Sequence, residues 1–227
     1  MIEELLPDSV VAVETFCAEA AQDAEGIDEV ILFPEEQAVV AKAVEKRRRE
    51  FAVVRRCARS AMEKLGIPPQ PILPGERGAP RWPSGLIGSM THCEGYAAAA
   101  LARSADLASL GVDAEAHLPL PEGVMEAVAL PAEQERHDRL SVEHPAVHWD
   151  RLLFSAKESV YKAWFPLTGR WLDFAEADIE ISPDTGRFRA RLLVPGPVVG
   201  DARLGHFDGR WSVRDGLVST AVTVAHD

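Results

Sequence analysis

Residues 96–115 read YAAAALARSADLASLGVDAE. Two apolar runs, 96–102 and 107–115, flank the more polar Arg103-Ser104-Ala105-Asp106. Apolar runs of this length, bounded by turn residues, read as buried strands. A short buried helix is the alternative for YAAAALA. The small residues allow close packing. The polar interruption divides the chain into two parts, residues 1–105 and 106–227.

Working outward, residues 35–65 carry helical periodicity. Val40, Val44, Phe51, Val54, Ala58, Ala61, Met62 and Leu65 recur at spacings of three, four and seven. Gly66 and Pro68 end the run. Residues 68–85, PPQPILPGERGAPRWPSG, read as a long loop of the kind that often carries function. In the second part, residues 148–165 read as a helix. Strands are expected at 177–182, 187–194 and 217–225, the first two joined by the turn Pro183-Asp184-Thr185-Gly186. Long helices mixed with strands give an α/β (α+β) class. An internal repeat supports two similar halves. Residues 30–37, VILFPEEQ, resemble 128–134, VALPAEQ, and Cys57-Ala58-Arg59-Ser60 lines up with Ser155-Ala156-Lys157-Glu158. A site is expected where such halves meet.

The chain has 227 residues and a formal net charge of -12, which excludes a general nucleic-acid binder. Hydrophobic residues make up 47%, and no apolar run has the length of a membrane span, so no membrane association is expected. MIEELLPDSV has no signal-peptide pattern, and Cys17, Cys57 and Cys93 read as reduced thiols. Together these give the expectation of a cytoplasmic protein. No Lys or Arg precedes Lys42; then residues 46–59 read KRRREFAVVRRCAR. In an acidic chain, such a stretch reads either as a local anion site or as a solvated helix face.

Asp113 and Glu115 are two apart in GVDAE, so on a strand they face one side. Paired carboxylates suit a hard divalent cation such as Mg²⁺, which takes one or two of them plus phosphate oxygens. A solvent-facing strand end is the plainer alternative. In residues 153–164, LFSAKESVYKAW, Leu153, Ala156, Val160 and Trp164 form one apolar face. Arg151, Ser155, Glu158 and Lys162 line a stripe opposite, with Glu158 and Lys162 at i, i+4. Lys157 falls close to the apolar face, where either snorkelling or a bound phosphate would account for it. Residues 88–93, GSMTHC, offer hydroxyls and an imidazole for a phosphate, with Arg77 and Arg81 upstream. A nucleophilic triad fits poorly, since Ser89 lacks a G-x-S-x-G elbow and His92 and Cys93 are adjacent. No zinc-type spacing occurs.

Three segments in order, WP…GSMTHC (82–93), GVDAE (111–115) and FSAKESVYK (154–162), resemble the signature motifs of the Sfp-type 4'-phosphopantetheinyl transferases. The basic helix with Arg48 and Arg56 resembles the enterobactin-type and mycobacterial branch. The resemblance covers residues 35–164 and, more weakly, continues to the C-terminus. It implies two similar α/β halves in one monomeric chain, with coenzyme A and Mg²⁺ in the cleft between them. It implies Asp113, Glu115 and Glu158 as metal carboxylates, with Glu158 also the base for an incoming serine. It implies His92 and Lys162 on the pyrophosphate, and Ser89, Arg48, Arg56 and Arg77 on the 3'-phosphate and adenosine end, with Lys157 also facing the phosphates. The implied partners are acyl, peptidyl or polyketide carrier proteins, usually acidic. A metal-dependent phosphohydrolase and a non-catalytic carrier-protein or coenzyme A binding module are the other readings of the same residues.

Overall fold

The computed structural model describes residues 1–16 and 32–226. Cys17 and the first two residues of the repeat, Val30 and Ile31, lie outside them. In chain order the elements are β1 (Val10–Phe16), α1 (Pro34–Val40), α2 (Glu45–Lys64), β2 (Leu86–Cys93), β3 (Tyr96–Arg103), β4 (Ser109–Ala116), α3 (Val124–Val128), α4 (Pro131–Glu143), α5 (Trp149–Thr168), β5 (Ala177–Ser182), β6 (Arg187–Leu192), β7 (Val198–Val199), β8 (Ala202–Arg203), β9 (His206–Arg214) and β10 (Leu217–Val224).

Two antiparallel sheets form the frame, in the orders β1-β3-β2 and β4-β10-β9-β6-β5. Each begins with first, last and penultimate strand of its half. The halves therefore share a topology, and β6 and β5 extend the second. β3 explains the alanines. Tyr96, Ala98, Ala100 and Ala102 pack with Val112, Ala114 and Ala221 of the second half. Ala99 and Leu101 face Cys57, Ala58, Ala61 and Met62 of α2. A strand with both faces covered this closely has room for little beyond a methyl group.

The second half repeats the arrangement around α5. Leu153, Ala156, Val160, Ala163 and Trp164 are buried against β5, β6 and β10. Burying the larger of these side chains contributes about 1.5–3 kcal/mol each. Gly111 decides how close α5 lies to β4, because a Cβ there would sit 2.0 Å from the Ser159 carbonyl oxygen.

The repeat is physical as well as textual. Pro34 and Pro131 each open a helix, at the position where a missing N–H costs nothing. Three residues past each N-cap a glutamate reaches back. Glu36 Oε2 accepts from Phe33 N at 3.0 Å, and Glu133 Oε2 accepts from Leu130 N at 2.7 Å. Both glutamates are buried, Glu36 0% and Glu133 2% exposed. Each also accepts a strand or loop N–H, from Ile72 at 2.8 Å and Ile179 at 2.7 Å. Each then pairs with a cation on the long helix: Arg59 at 2.9 Å and Lys157 at 2.8 Å.

Residues 35–65, read as one helix, are two. Residues 41–44 separate α1 from α2, and Val44 is 73% exposed rather than part of the buried face.

Candidate active site

β2 and β4 are edge strands of the two sheets, and they face each other. They are joined by side-chain rungs instead of a backbone ladder. Val112 N donates to Ser89 Oγ at 3.0 Å, and Ala114 N donates to Thr91 Oγ1 at 3.0 Å. The strand period of two puts Ser89 and Thr91 on this junction and Gly88, Met90 and His92 on the opposite side.

At the same junction β4 presents Asp113, which is 4% exposed. Its Oδ1 accepts from Lys162 Nζ at 2.7 Å and from Thr91 Oγ1 at 3.2 Å. Lys162 also donates to the Val112 carbonyl at 3.1 Å. The other oxygen, Asp113 Oδ2, is buried with no partner among the described residues. A buried carboxylate oxygen without a donor is costly unless something absent from the chain meets it.

Glu115 lies two residues on. Burial first, and then the charge of Asp113, push its carboxyl above the usual carboxylate range, while Arg151 and Lys162 oppose the shift. Arg151 Nη1 reaches Glu115 Oε2 at 3.1 Å. The same guanidinium donates to the Leu118 and Pro119 carbonyls at 3.0 and 2.9 Å, which fixes the segment after β4. Glu158, on α5, is also raised. Burial is the main cause, with Lys162 pulling down and Asp113 adding to the rise. Asp113 is therefore electrically coupled to both glutamates.

The expected three-carboxylate cage does not close. Among the described residues no three His, Cys, Asp or Glu side chains converge tightly enough to hold a metal ion. Two cations lie among these carboxylates: Lys162 sits on Asp113 and Arg151 on Glu115. The donor set fits a more open arrangement, since Mg²⁺ completes its shell with substrate oxygens. The orphaned Asp113 Oδ2 is the observation that fits.

Other expected site residues fall in different places. His92 faces α2, where its Nε2 lies 2.8 Å from Arg47 Nη1 and 3.8 Å from Glu50 Oε2. Arg48 is exposed in the first turn of α2. Arg56 lines a hollow of about 410 Å³ with Phe33, Arg59 and Glu63, which contains none of the three carboxylates. Arg77 adopts a left-handed backbone, φ 53°, and its guanidinium lies 5.5 Å from the Trp171 ring. It thus ties the Pro-rich loop to the second half. A small cavity of about 100 Å³ opens beside Glu158, walled by Tyr161, Trp171, Leu172 and Phe174.

Lys157 lines the same cavity, with its ammonium on Glu133 at 2.8 Å and on the Phe174 and Ala177 carbonyls at 2.6 and 2.9 Å. A lysine has three donors, and all are taken. Ser89 is 4% exposed and its oxygen accepts from Val112 N across the junction. The stripe of α5 opposite its apolar face includes a fully buried position. Ser155 is 0% exposed and bonds Thr220 Oγ1 at 2.9 Å. Residue reading missed Thr91 and Arg151 as partners of the carboxylates. Strand alternation in GSMTHC held the signal for Thr91, and the i, i+4, i+7 spacing of Arg151, Ser155 and Glu158 held it for Arg151.

Comparison with known proteins adds the family. A family model described as 4'-phosphopantetheinyl transferase N-terminal domain matches residues 35–102, and one described as 4'-phosphopantetheinyl transferase superfamily matches residues 109–214. The chain is 58% identical over 225 residues to 4'-phosphopantetheinyl transferase Svp of Streptomyces mobaraensis, covering 99% of this chain and 89% of that one. It is 46% identical over 228 residues to 4'-phosphopantetheinyl transferase PptT of Mycobacterium tuberculosis, covering 99% and 98%. It is 48% identical over 233 residues to 4'-phosphopantetheinyl transferase Npt of Nocardia iowensis, covering 99% and 100%.

Proposed function

The chain belongs to the 4'-phosphopantetheinyl transferase superfamily, and we propose that it moves the phosphopantetheine arm of coenzyme A onto a serine of an acyl, peptidyl or polyketide carrier protein, releasing 3',5'-ADP. The single observation that carries the site is the buried, unpartnered Asp113 Oδ2 beside two glutamates whose carboxyls are pushed up.

In this reading Asp113 Oδ2, with Glu115 and Glu158, holds Mg²⁺. When bound, the ion offsets the charge that grows on the departing diphosphate. Lys162, fixed on Asp113, adds positive potential at the same point. Glu158, on α5 beside Lys162 and Asp113, accepts the serine proton. The cavity beside it, lined by Tyr161, Trp171, Leu172 and Phe174 with Lys157 and Asp173, offers apolar and polar groups to the amide-bearing pantetheine arm. His92, Arg48, Arg56 and Arg77 serve the phosphates and the adenosine end of coenzyme A. Residues 1–105 and 106–227 act as the two halves of a cytoplasmic monomer that binds neither nucleic acid nor membrane. Among the described residues no helix is long and apolar enough to cross a bilayer.

The test is incubation with coenzyme A, Mg²⁺ and a panel of apo carrier proteins, read by intact mass. One carrier should gain the mass of the phosphopantetheine arm. Coenzyme A cleavage with no mass gain on any carrier would overturn the transferase reading in favour of a hydrolase.

A further inference from the structure

We propose that Thr91 is a positioning residue: its hydroxyl orients Asp113 across the junction of the two halves, so that Oδ2 is the oxygen offered to the metal. The proposal rests on the metal-site reading above and adds the group that sets its geometry.

The argument is one of proton counting. A threonine hydroxyl has a single proton and two lone pairs. Ala114 N donates into Thr91 Oγ1 at 3.0 Å, which uses a lone pair. The hydroxyl proton is then free for Asp113 Oδ1 at 3.2 Å, which can only accept. The rung therefore has a fixed polarity, from β4 backbone through Thr91 and back to a β4 carboxylate. Lys162 donates to the same Oδ1 at 2.7 Å. Donors from β2 and from α5 thus converge on one oxygen. Rotation of the carboxylate would break both bonds, and that is what keeps Oδ2 buried and vacant of protein partners. Thr91 is itself 5% exposed, so water does not compete. A β-branched residue on a strand also has a restricted χ1, which aims the hydroxyl.

Ser89, two residues earlier, makes the matching rung to Val112 N at 3.0 Å and has no carboxylate at its end. A junction needing only rungs would be satisfied by the Ser89 pattern. The extra bond to Asp113 belongs to Thr91.

The test compares Thr91→Val, which keeps the shape and deletes the hydroxyl, with Thr91→Ser, which keeps the hydroxyl. Mn²⁺ serves as the probe ion, its binding read by electron paramagnetic resonance with coenzyme A present, alongside transfer rates at varied Mg²⁺. Thr91→Val should weaken Mn²⁺ binding by on the order of tenfold or more, as loss of an outer partner of a metal ligand does. The Mg²⁺ concentration for half-maximal rate should rise in parallel, with KM for coenzyme A little changed. Thr91→Ser should restore both. Should the valine variant not fold, Thr91→Ala, which also lacks a donor, carries the same comparison. Wild-type Mn²⁺ affinity in a folded Val or Ala variant overturns the proposal, because a pure rung would move only Tm. A serine variant as impaired as the valine one overturns it too, since methyl packing would then be the cause. If the parent protein binds Mn²⁺ but transfers nothing, the transferase reading fails while the Thr91 comparison still stands.

Discussion

Asp113 keeps its two oxygens in different company: one takes donors from Lys162 and Thr91, and the other has none. Asp113→Ala should leave the protein folded and abolish transfer, a loss of at least about 10³-fold, or several kcal/mol of transition-state stabilisation. Coenzyme A should still bind through groups remote from Asp113. Intact-mass assays at saturating coenzyme A check the rate, and calorimetry checks the binding. Cys93 reports on the same charges. Burial, then Glu115 and Asp113, push its thiol up to about 12. It should therefore stay protonated at pH 8 and resist iodoacetamide in the native state, with peptide mapping as the readout. Substantial native alkylation of Cys93 would mean that the thiol is not shielded as the structure has it. At this scale the carboxylates themselves were legible, because D-x-E on a strand states its own geometry. Lys157 was not. Its partner Glu133 lies on another helix, and only the repeat, which sets Glu36 with Arg59 against Glu133 with Lys157, held a trace of the pairing.

The two buried glutamates act at the scale of elements, each stitching a short helix to a long one and to the segment beyond. Burial draws the Lys157 pKa down, and Glu133 opposes that by hydrogen bond and by charge. Glu133→Gln keeps the shape but strands the ammonium, so it should cost about 3 kcal/mol or more. Thermal unfolding should show Tm falling by roughly 6–12 °C. An unchanged Tm would show that the backbone carbonyls of Phe174 and Ala177 suffice for Lys157. Elements with one clear period were readable: residues 177–182 form β5 as expected, and residues 148–165 lie within one residue of α5 at its start. The break at 41–44 was not, for it contains no Gly or Pro; α1 is held apart by the burial of Glu36, a tertiary cause. β9 hides its alternation behind Gly209, whose inward position is filled by the Phe188 ring, 2.1 Å from where a Cβ would be.

For the whole molecule, a net charge of -12 makes long-range attraction to an acidic carrier unfavourable. Carrier docking should then rest on short-range contacts and change little, by less than about threefold, between low and moderate salt. Titration of carrier binding at several NaCl concentrations checks this; a steep loss would reveal a basic docking patch, with the first turn of α2 its natural seat. The two-half plan was legible from the repeat, whereas the way the halves join was not, because hydroxyl rungs leave no periodic mark. Those rungs have a consequence beyond the site. The facing edges of two sheets are where a protein is most exposed to recruitment by another chain's strand. Here Ser89 and Thr91 occupy the β4 N–H groups that a foreign strand would need. The seam between the halves thus doubles as protection against edge-to-edge polymerisation, achieved without proline, lysine or a bulge on β4.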